Sequence, residues 1–412
     1  MTAASGCVIE LVEHAPAVSV PLPDAVGRAL VASRIADAAP DAYAPGRWVL
    51  RAGSKVGAVR LEPPGGPAVT VRITPKVPVA RLFFLLGYSL DPRGWRDGEV
   101  EIAEHRELLP ALAHAVERQV DLALRRGLLQ GYMPTEDTSL VVRGRIREAE
   151  QVRRRFGTAL PVEVAYDDFT DDIPENRLLR AAVERLLRLP GVPADVRRRL
   201  LHQRARLIGI TPLVRGQALP VWHPTRLNSR YHHALRLARA VLEGSSGEHA
   251  AGNLRIDGFL FNMNKLFEDF VTVALREELR AGGHVARLQD THHLDDDARI
   301  RMKPDLVVYG DDDGRLPRAV VDAKYKAEKR DGYPDADLYQ MLAYCTALGL
   351  PAGHLVYAKG NGPHTAHRVR HTGVRIHQHA LDLDQNPRQL LGEIRSVARQ
   401  LVGGPPVGSA RE

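Results

Sequence analysis

Asp305 closes the tripeptide Lys303-Pro304-Asp305 ahead of an apolar run, Leu306-Val307-Val308-Tyr309. Asp322 and Lys324 stand one residue apart inside a second such run, Val320 to Tyr325. An extended chain alternates its faces with period two, so Asp322 and Lys324 point the same way. A charged pair among Val320, Val321, Ala323 and Tyr325 is costly to bury without a partner. The segment DDDGRLP (311–317) is turn-like, so the two strands are expected to lie side by side with Asp305 next to Asp322. Two carboxylates at that spacing form an oxygen site for Mg2+, which takes one or two carboxylates and completes its shell with water and substrate phosphate. A cation there polarises a phosphodiester and acidifies bound water. A lysine beside it orients or deprotonates that water and meets the developing negative charge.

Helical spacing adds three residues. Glu268 lies beside the apolar stripe Leu266, Phe267, Phe270 and Ala274, from which it can reach the site as a further metal ligand or orienting group. Gln340 and Tyr344 are four apart and share one helix face, placed to hold a backbone phosphate or to position Lys324. Other polar clusters carry less. Asp295–Asp297 and Asp311–Asp313 read as solvated turns, the histidines from His364 to His379 as exposed strand faces, and His292-His293 as surface or capping residues. Glu175-Asn176-Arg177 reads as a structural helix start.

The elements that must position these residues define an α/β, multidomain chain. Residues 1–138 alternate with Gly/Pro punctuation and read as a small β-rich module with helices near 24–38, 79–90 and 106–130. Residues 139–245 open with a strand, TSLVVRGRIR, and continue mostly helical and rich in arginine. The small, polar break EGSSGEHAAGN marks a boundary. Residues 246–402 then read as a helix (262–281), strands at 301–309 and 318–326, a helix (335–348), and strands at 354–359 and 374–383.

At 412 residues the chain is too long for one core. It holds no apolar run long enough to span a membrane, no secretory signal, and two cysteines, Cys7 and Cys345, which excludes a disulfide framework and a cysteine-based zinc site. A cytoplasmic location is expected. Net charge is +7, and arginines crowd 143–155 and 177–206. Solvated helix faces and phosphate contacts are both open readings.

The ordered set of Glu268, Pro304-Asp305, Asp322-Ala323-Lys324 and Gln340-x-x-x-Tyr344 resembles the PD-(D/E)xK nuclease superfamily, the last element its RecB-like branch. The stretch VRGRIREAEQVRRRFGTALPVEVAYDDFTDDIPENRLLRAAVERLL (142–187), with TRLNSRYHHALRLARAVLEG and VRITPKVPVARLFFLLGY, resembles the McrC family, the nuclease subunits of modification-dependent restriction systems. The resemblance covers about residues 45 to 360. It implies a C-terminal restriction-endonuclease-like α/β domain, with Asp305, Asp322 and Glu268 on Mg2+ and Lys324, Gln340 and Tyr344 completing the catalytic set. It also implies DNA, methylated, as substrate and an AAA+ GTPase as partner, docked through residues 1–138. The chain has no Gly-Lys dipeptide and hence no phosphate loop of its own, so the motor must be another chain. A free-standing repair nuclease and a non-catalytic activator of an AAA+ motor are the alternatives.

Overall fold

The structure is a computed structural model that describes residues 7–90, 92, 108–189, 191–214, 217–244, 255–310, 315–325, 335–358 and 365–403. The chain divides into two compact units: Met1–Leu108 with Ser246–Glu412, and Leu109–Ser245. The α/β class holds. Unit one opens with β1 (Cys7–Val12), β2 (Val18–Pro21), α1 (Asp24–Ser33), β3 (Asp37–Pro40), β4 (Arg47–Arg51), β5 (Lys55–Glu62), β6 (Val69–Thr74) and α2 (Val79–Leu90). Val59 and Leu61 on β5 and Val69, Val71 and Ile73 on β6 are buried, the inward half of an alternating pattern.

Unit two holds α3 (Leu108–Leu124), β7 (Gly131–Ser139), β8 (Arg145–Ile146), α4 (Glu148–Arg155), β9 (Val162–Thr170), α5 (Pro174–Arg188), α6 (Ala194–Arg206) and α7 (His232–Glu243). Leu178, Leu179, Ala182, Val183 and Leu186 make one buried stripe on α5, packed on Ala234, Leu235, Ala238 and Val241 of α7. The Glu175-Asn176-Arg177 start of α5 is a structural clasp, as its sequence suggested. Glu175 accepts from Asn228 at 3.0 Å, Asn176 donates to the carbonyls of Leu129 and Asp171, and Arg177 grips Asp172 with two hydrogen bonds.

This middle region is less helical than its sequence suggested. It carries a three-stranded antiparallel sheet, β7-β9-β8, in which VEVAYDDFT forms the central strand. That strand buries only its first residues, so its polar second half hides the period-two signal. The strand expected at TSLVVRGRIR instead runs over Gly131–Ser139, with Leu140 to Gly144 turning towards β8.

The remainder of unit one comprises β10 (Arg255–Asn262), α8 (Met263–Ala281), β11 (Val285–Leu288), β12 (His292–His293), β13 (Arg301–Met302), β14 (Leu306–Tyr309), β15 (Pro317–Lys324), α9 (Asp335–Leu348), β16 (Ala352–Ala358), β17 (Thr365–Arg368), β18 (Arg375–Leu381) and α10 (Pro387–Val402). β10, not anticipated from sequence, pairs antiparallel with β5 along its whole length and completes the sheet β1-β6-β5-β10. The sequence-based division into 1–138 and 246–402 therefore cuts through one sheet. The second sheet has six strands in the order β11-β14-β15-β16-β18-β17, with β15, β16 and β18 parallel. The single strand expected over 301–309 is broken at Lys303-Pro304-Asp305: β13 pairs with β12, and β14 with β11 and β15. Pro304 has no N–H to continue a ladder. Helix α9 covers one face of this sheet, burying Met341, Tyr344 and Cys345 against Val307, Val320, Leu355 and Tyr357. Helices α8 and α10 pack against β15 as well.

Candidate active site

The β14–β15 ladder pairs Leu306 with Val321 and Val307 with Val320. Carried one residue further, that register sets Asp305 opposite Asp322, on the face that Val307 and Val320 present to α9. Both aspartates are buried, at 8% and 2% exposure. Asp305 Oδ2 accepts the Ala323 N–H at 2.8 Å, stitching the end of one strand to the other. Lys324 lies on the same face and its ammonium forms an ion pair with Asp322 Oδ2, an oxygen that accepts no other hydrogen bond among the described residues. Burial, then the Asp322 charge, pushes the Asp305 carboxyl up to about 8, and Glu268 adds to the effect. Burial pulls Lys324 down, but the charge and hydrogen bond of Asp322, with Asp305 and Asp337, outweigh it and hold the ammonium above its ordinary range.

Helix α9 supplies the opposite wall. Gln340 Nε2 donates to Tyr344 Oη at 2.7 Å. Burial and the nearby Asp322 raise the Tyr344 phenol. The helix sits low on the sheet because β16 carries glycine beneath it: a Cβ at Gly353 would lie 2.4 Å from Met341 Sδ and 2.6 Å from Cys345 Sγ. Asp337 was not foreseen. It is buried on α9, accepts a long hydrogen bond from Tyr357 Oη at 3.4 Å, and acts electrostatically on Lys324. It stands one helical turn before Gln340, a spacing visible in the sequence but masked there by the usual acidic first turn of a helix.

Glu268, half-buried on α8, accepts from Gln289 Nε2 at 2.7 Å, and Gln289 N donates to the Asp305 carbonyl at 3.0 Å. The structure thus joins Asp305, Asp322 and Lys324 directly, with Tyr344 and its partner Gln340 alongside and Glu268 at the Asp305 end. Among the described residues no three His, Cys, Asp or Glu groups come together at ligand spacing. Two buried carboxylates, one of them reluctant to ionise, nevertheless suit a divalent cation. Their hard oxygens match Mg2+, which needs only one or two carboxylates beyond water.

Of the other clusters, Asp295 accepts the N–H groups of Arg299 and Ile300 in a turn, as expected; 311–314 lie outside the described residues. The histidine reading needs correction: His379 is buried, and its Nε2 meets buried His354 Nδ1 at 3.0 Å. β18 lies between β16 and β17, not at an edge, so histidine there is enclosed. Most arginines of 143–155 and 177–206 are spent internally. Arg147 pairs with Glu136, Arg155 with Glu163, Arg177 with Asp172, Arg180 with Glu184 and Arg199 with Glu117. Arg143, Arg145, Arg198 and Arg204 are exposed and make no ion pair among the described residues.

Residues 50–358 match the family model described as McrBC 5-methylcytosine restriction system component. This chain belongs to that family. Among curated proteins, the McrBC chain resembles the "Type IV methyl-directed restriction enzyme EcoKMcrBC" of Escherichia coli (strain K12), with 21% identity over 318 residues, 72% of this chain and 89% of the relative. Among solved structures, it is similar to a chain in the "Refined half-complex from tetradecameric assembly of Thermococcus gammatolerans McrB AAA+ hexamers with bound McrC". That match has a TM-score of 0.56 and 17% identity, and covers 96% of this chain and 100% of the other. The likeness shows the shared McrBC fold. No helix among the described residues of the McrBC chain is long and apolar enough to cross a membrane.

Proposed function

We propose that this McrBC-family chain is the Mg2+-dependent DNA endonuclease of a methylation-directed restriction complex, activated by an AAA+ GTPase that it stimulates. The observation that carries this reading is the buried Asp305–Asp322 pair with Lys324 ion-paired beside it on one sheet face. A Mg2+ on Asp305 and Asp322 supplies a polarised phosphoryl oxygen and an acidified water for attack at phosphorus. Lys324, held as an ammonium by Asp322, meets the charge that builds on the phosphoryl oxygens as the P–O bond breaks. The Tyr344 hydroxyl, engaged by Gln340, lines the same pocket and orients the backbone. The intact set weighs against a purely non-catalytic activator.

The partner follows from the relatives, whose McrC is bound to McrB AAA+ hexamers. The sequence reading assigned docking to residues 1–138. β7 lies in that span, and the sheet it forms with β9 and β8 has the chemistry of a docking face: the rings of Tyr132 (72% exposed) and Phe169 lie 5.1 Å apart, and Leu140, Val141, Val142 and Phe156 (87% exposed) are also open to solvent. The deciding experiment combines the chain with its motor, GTP or ATP, Mg2+, and methylated or unmethylated DNA. Cleavage only of methylated DNA, only with motor and nucleotide, is expected. Cleavage by the chain alone would favour a free-standing nuclease. The chain alone should hydrolyse neither nucleotide, and the double substitution Tyr132→Ser, Phe156→Ser should reduce stimulation of the motor.

The arginines yield a separate expectation. Reversing Arg143, Arg145 and Arg198 to Glu should weaken DNA binding equally for every sequence, and flatten the log–log salt dependence by about 1 per lost phosphate contact. Reversing Arg155, Arg177 and Arg199 should instead lower thermal stability, because each holds a carboxylate within the fold. Salt-titrated DNA binding and melting curves separate the two sets; equal behaviour would return all six to one role.

A further inference from the structure

Gln289 is one of few non-glycine residues with positive φ, at 47°. It follows β11, whose last residue, Leu288, pairs with Leu306, so Gln289 lies beside Asp305. A left-handed glutamine is strained and persists only where its surroundings over-determine it. Here two contacts do so, and both point at the site. The backbone N–H donates to the Asp305 carbonyl at 3.0 Å, and the side-chain amide donates to Glu268 Oε1 at 2.7 Å. The bend therefore turns the side chain towards α8 while its backbone stays fastened to Asp305. Glu268 is half-exposed on a helix, where an untethered glutamate samples several rotamers. One amide donor removes that freedom and leaves Oε2 for other work.

We propose that Gln289 is a positioning residue that fixes Glu268 as the third carboxylate around a divalent cation seated on Asp305 and Asp322. This deepens the nuclease reading and rests on it. Half-exposed and tethered by Gln289, Glu268 in this proposal acts through the cation's hydration shell. That placement fixes the size of the effect. Loss of an outer partner costs about 10–100-fold in cation affinity, whereas loss of Asp305 or Asp322 removes the site.

The test is Mn2+ binding to the full chain without motor or DNA, followed by calorimetry and by electron paramagnetic resonance of the bound ion, with Mg2+ competition. Gln289→Gly keeps the left-handed backbone without strain and deletes only the amide; Gln289→Asn keeps an amide one methylene short. Gln289→Gly and Glu268→Gln should each weaken Mn2+ binding about 10-fold or more, and the double variant should be no worse than either alone. Gln289→Asn should fall between. Melting curves of Gln289→Gly should stay near wild type. Unchanged Mn2+ affinity in Gln289→Gly, or additive losses in the double variant, would overturn the proposal while the nuclease reading stands. Wild-type protein that binds no Mn2+, or binds it equally well as Asp305→Ala, would instead sink the nuclease reading itself.

Discussion

Asp322→Ala should lose DNA cleavage, by at least about a thousandfold or ~4 kcal/mol of barrier, while stimulation of the motor should survive. Asp305→Ala should do the same. Each removes a carboxylate from a pair that is buried and set opposite across one ladder, so neither partner can substitute for the other. Lys324→Ala should also lose cleavage but keep Mn2+ binding, because the lysine is ion-paired to Asp322 and supplies no oxygen ligand of its own. A companion stability result follows from the same burial. Burial pushes the folded Asp305 carboxyl up to about 8, above an unfolded aspartate, so this group adds to the metal-free protein an increment of stability that is fully present below the unfolded value, about 4. It loses that increment as pH rises through 8. Asp305→Asn keeps an acceptor for the Ala323 N–H, removes this slope, and should raise the metal-free stability at pH 8 by about 1–4 kcal/mol. Mg2+ titration should reverse the order, stabilising wild type and leaving the variant unmoved. Cleavage that survives in Asp322→Ala would end the assignment of this pair.

Gly57→Val is expected to be among the most disruptive single changes away from the site. Gly57 sits in β5 at φ 137°, a conformation L side chains rarely adopt, and a Cβ there would lie 2.1 Å from the Phe259 carbonyl oxygen of β10. The obstacle is backbone, so no rotamer relieves it. Strain and overpacking together should cost about 3–5 kcal/mol. Hydrogen exchange should show the loss first in the amides of β5 and β10, with unit two protected as before. Protection retained along that ladder would mean that the two strands part without cost.

The geometry of the candidate site was legible in the sequence because period-two alternation and turn residues bear directly on side-chain direction. Asp305, Asp322 and Lys324 share a face as their spacing required, and α9 spans the residues its periodicity indicated. What escaped was set by distant chain. β10 carries Gly258 and Asp257 among its apolar residues and becomes a strand because β5 offers it an edge. Asp337 and Gln289 look like an ordinary helix start and an ordinary loop; only the sheet beneath one and the glutamate beside the other give them purpose. Buried His379, which meets His354, was misread because strand order, and hence enclosure, is a property of topology.

The β5–β10 ladder also dictates a sequence of events during synthesis. A ribosome releases β1, β5 and β6 nearly two hundred residues before β10, and in that interval β5 offers an open edge of backbone donors and acceptors. The intervening residues Leu109–Ser245 form a compact unit of their own and are able to collapse first. The nascent protein must therefore leave one sheet unfinished, finish another body, and return to the first; a chain stalled between residues 74 and 255 exposes a strand edge suited to mispairing with a second copy.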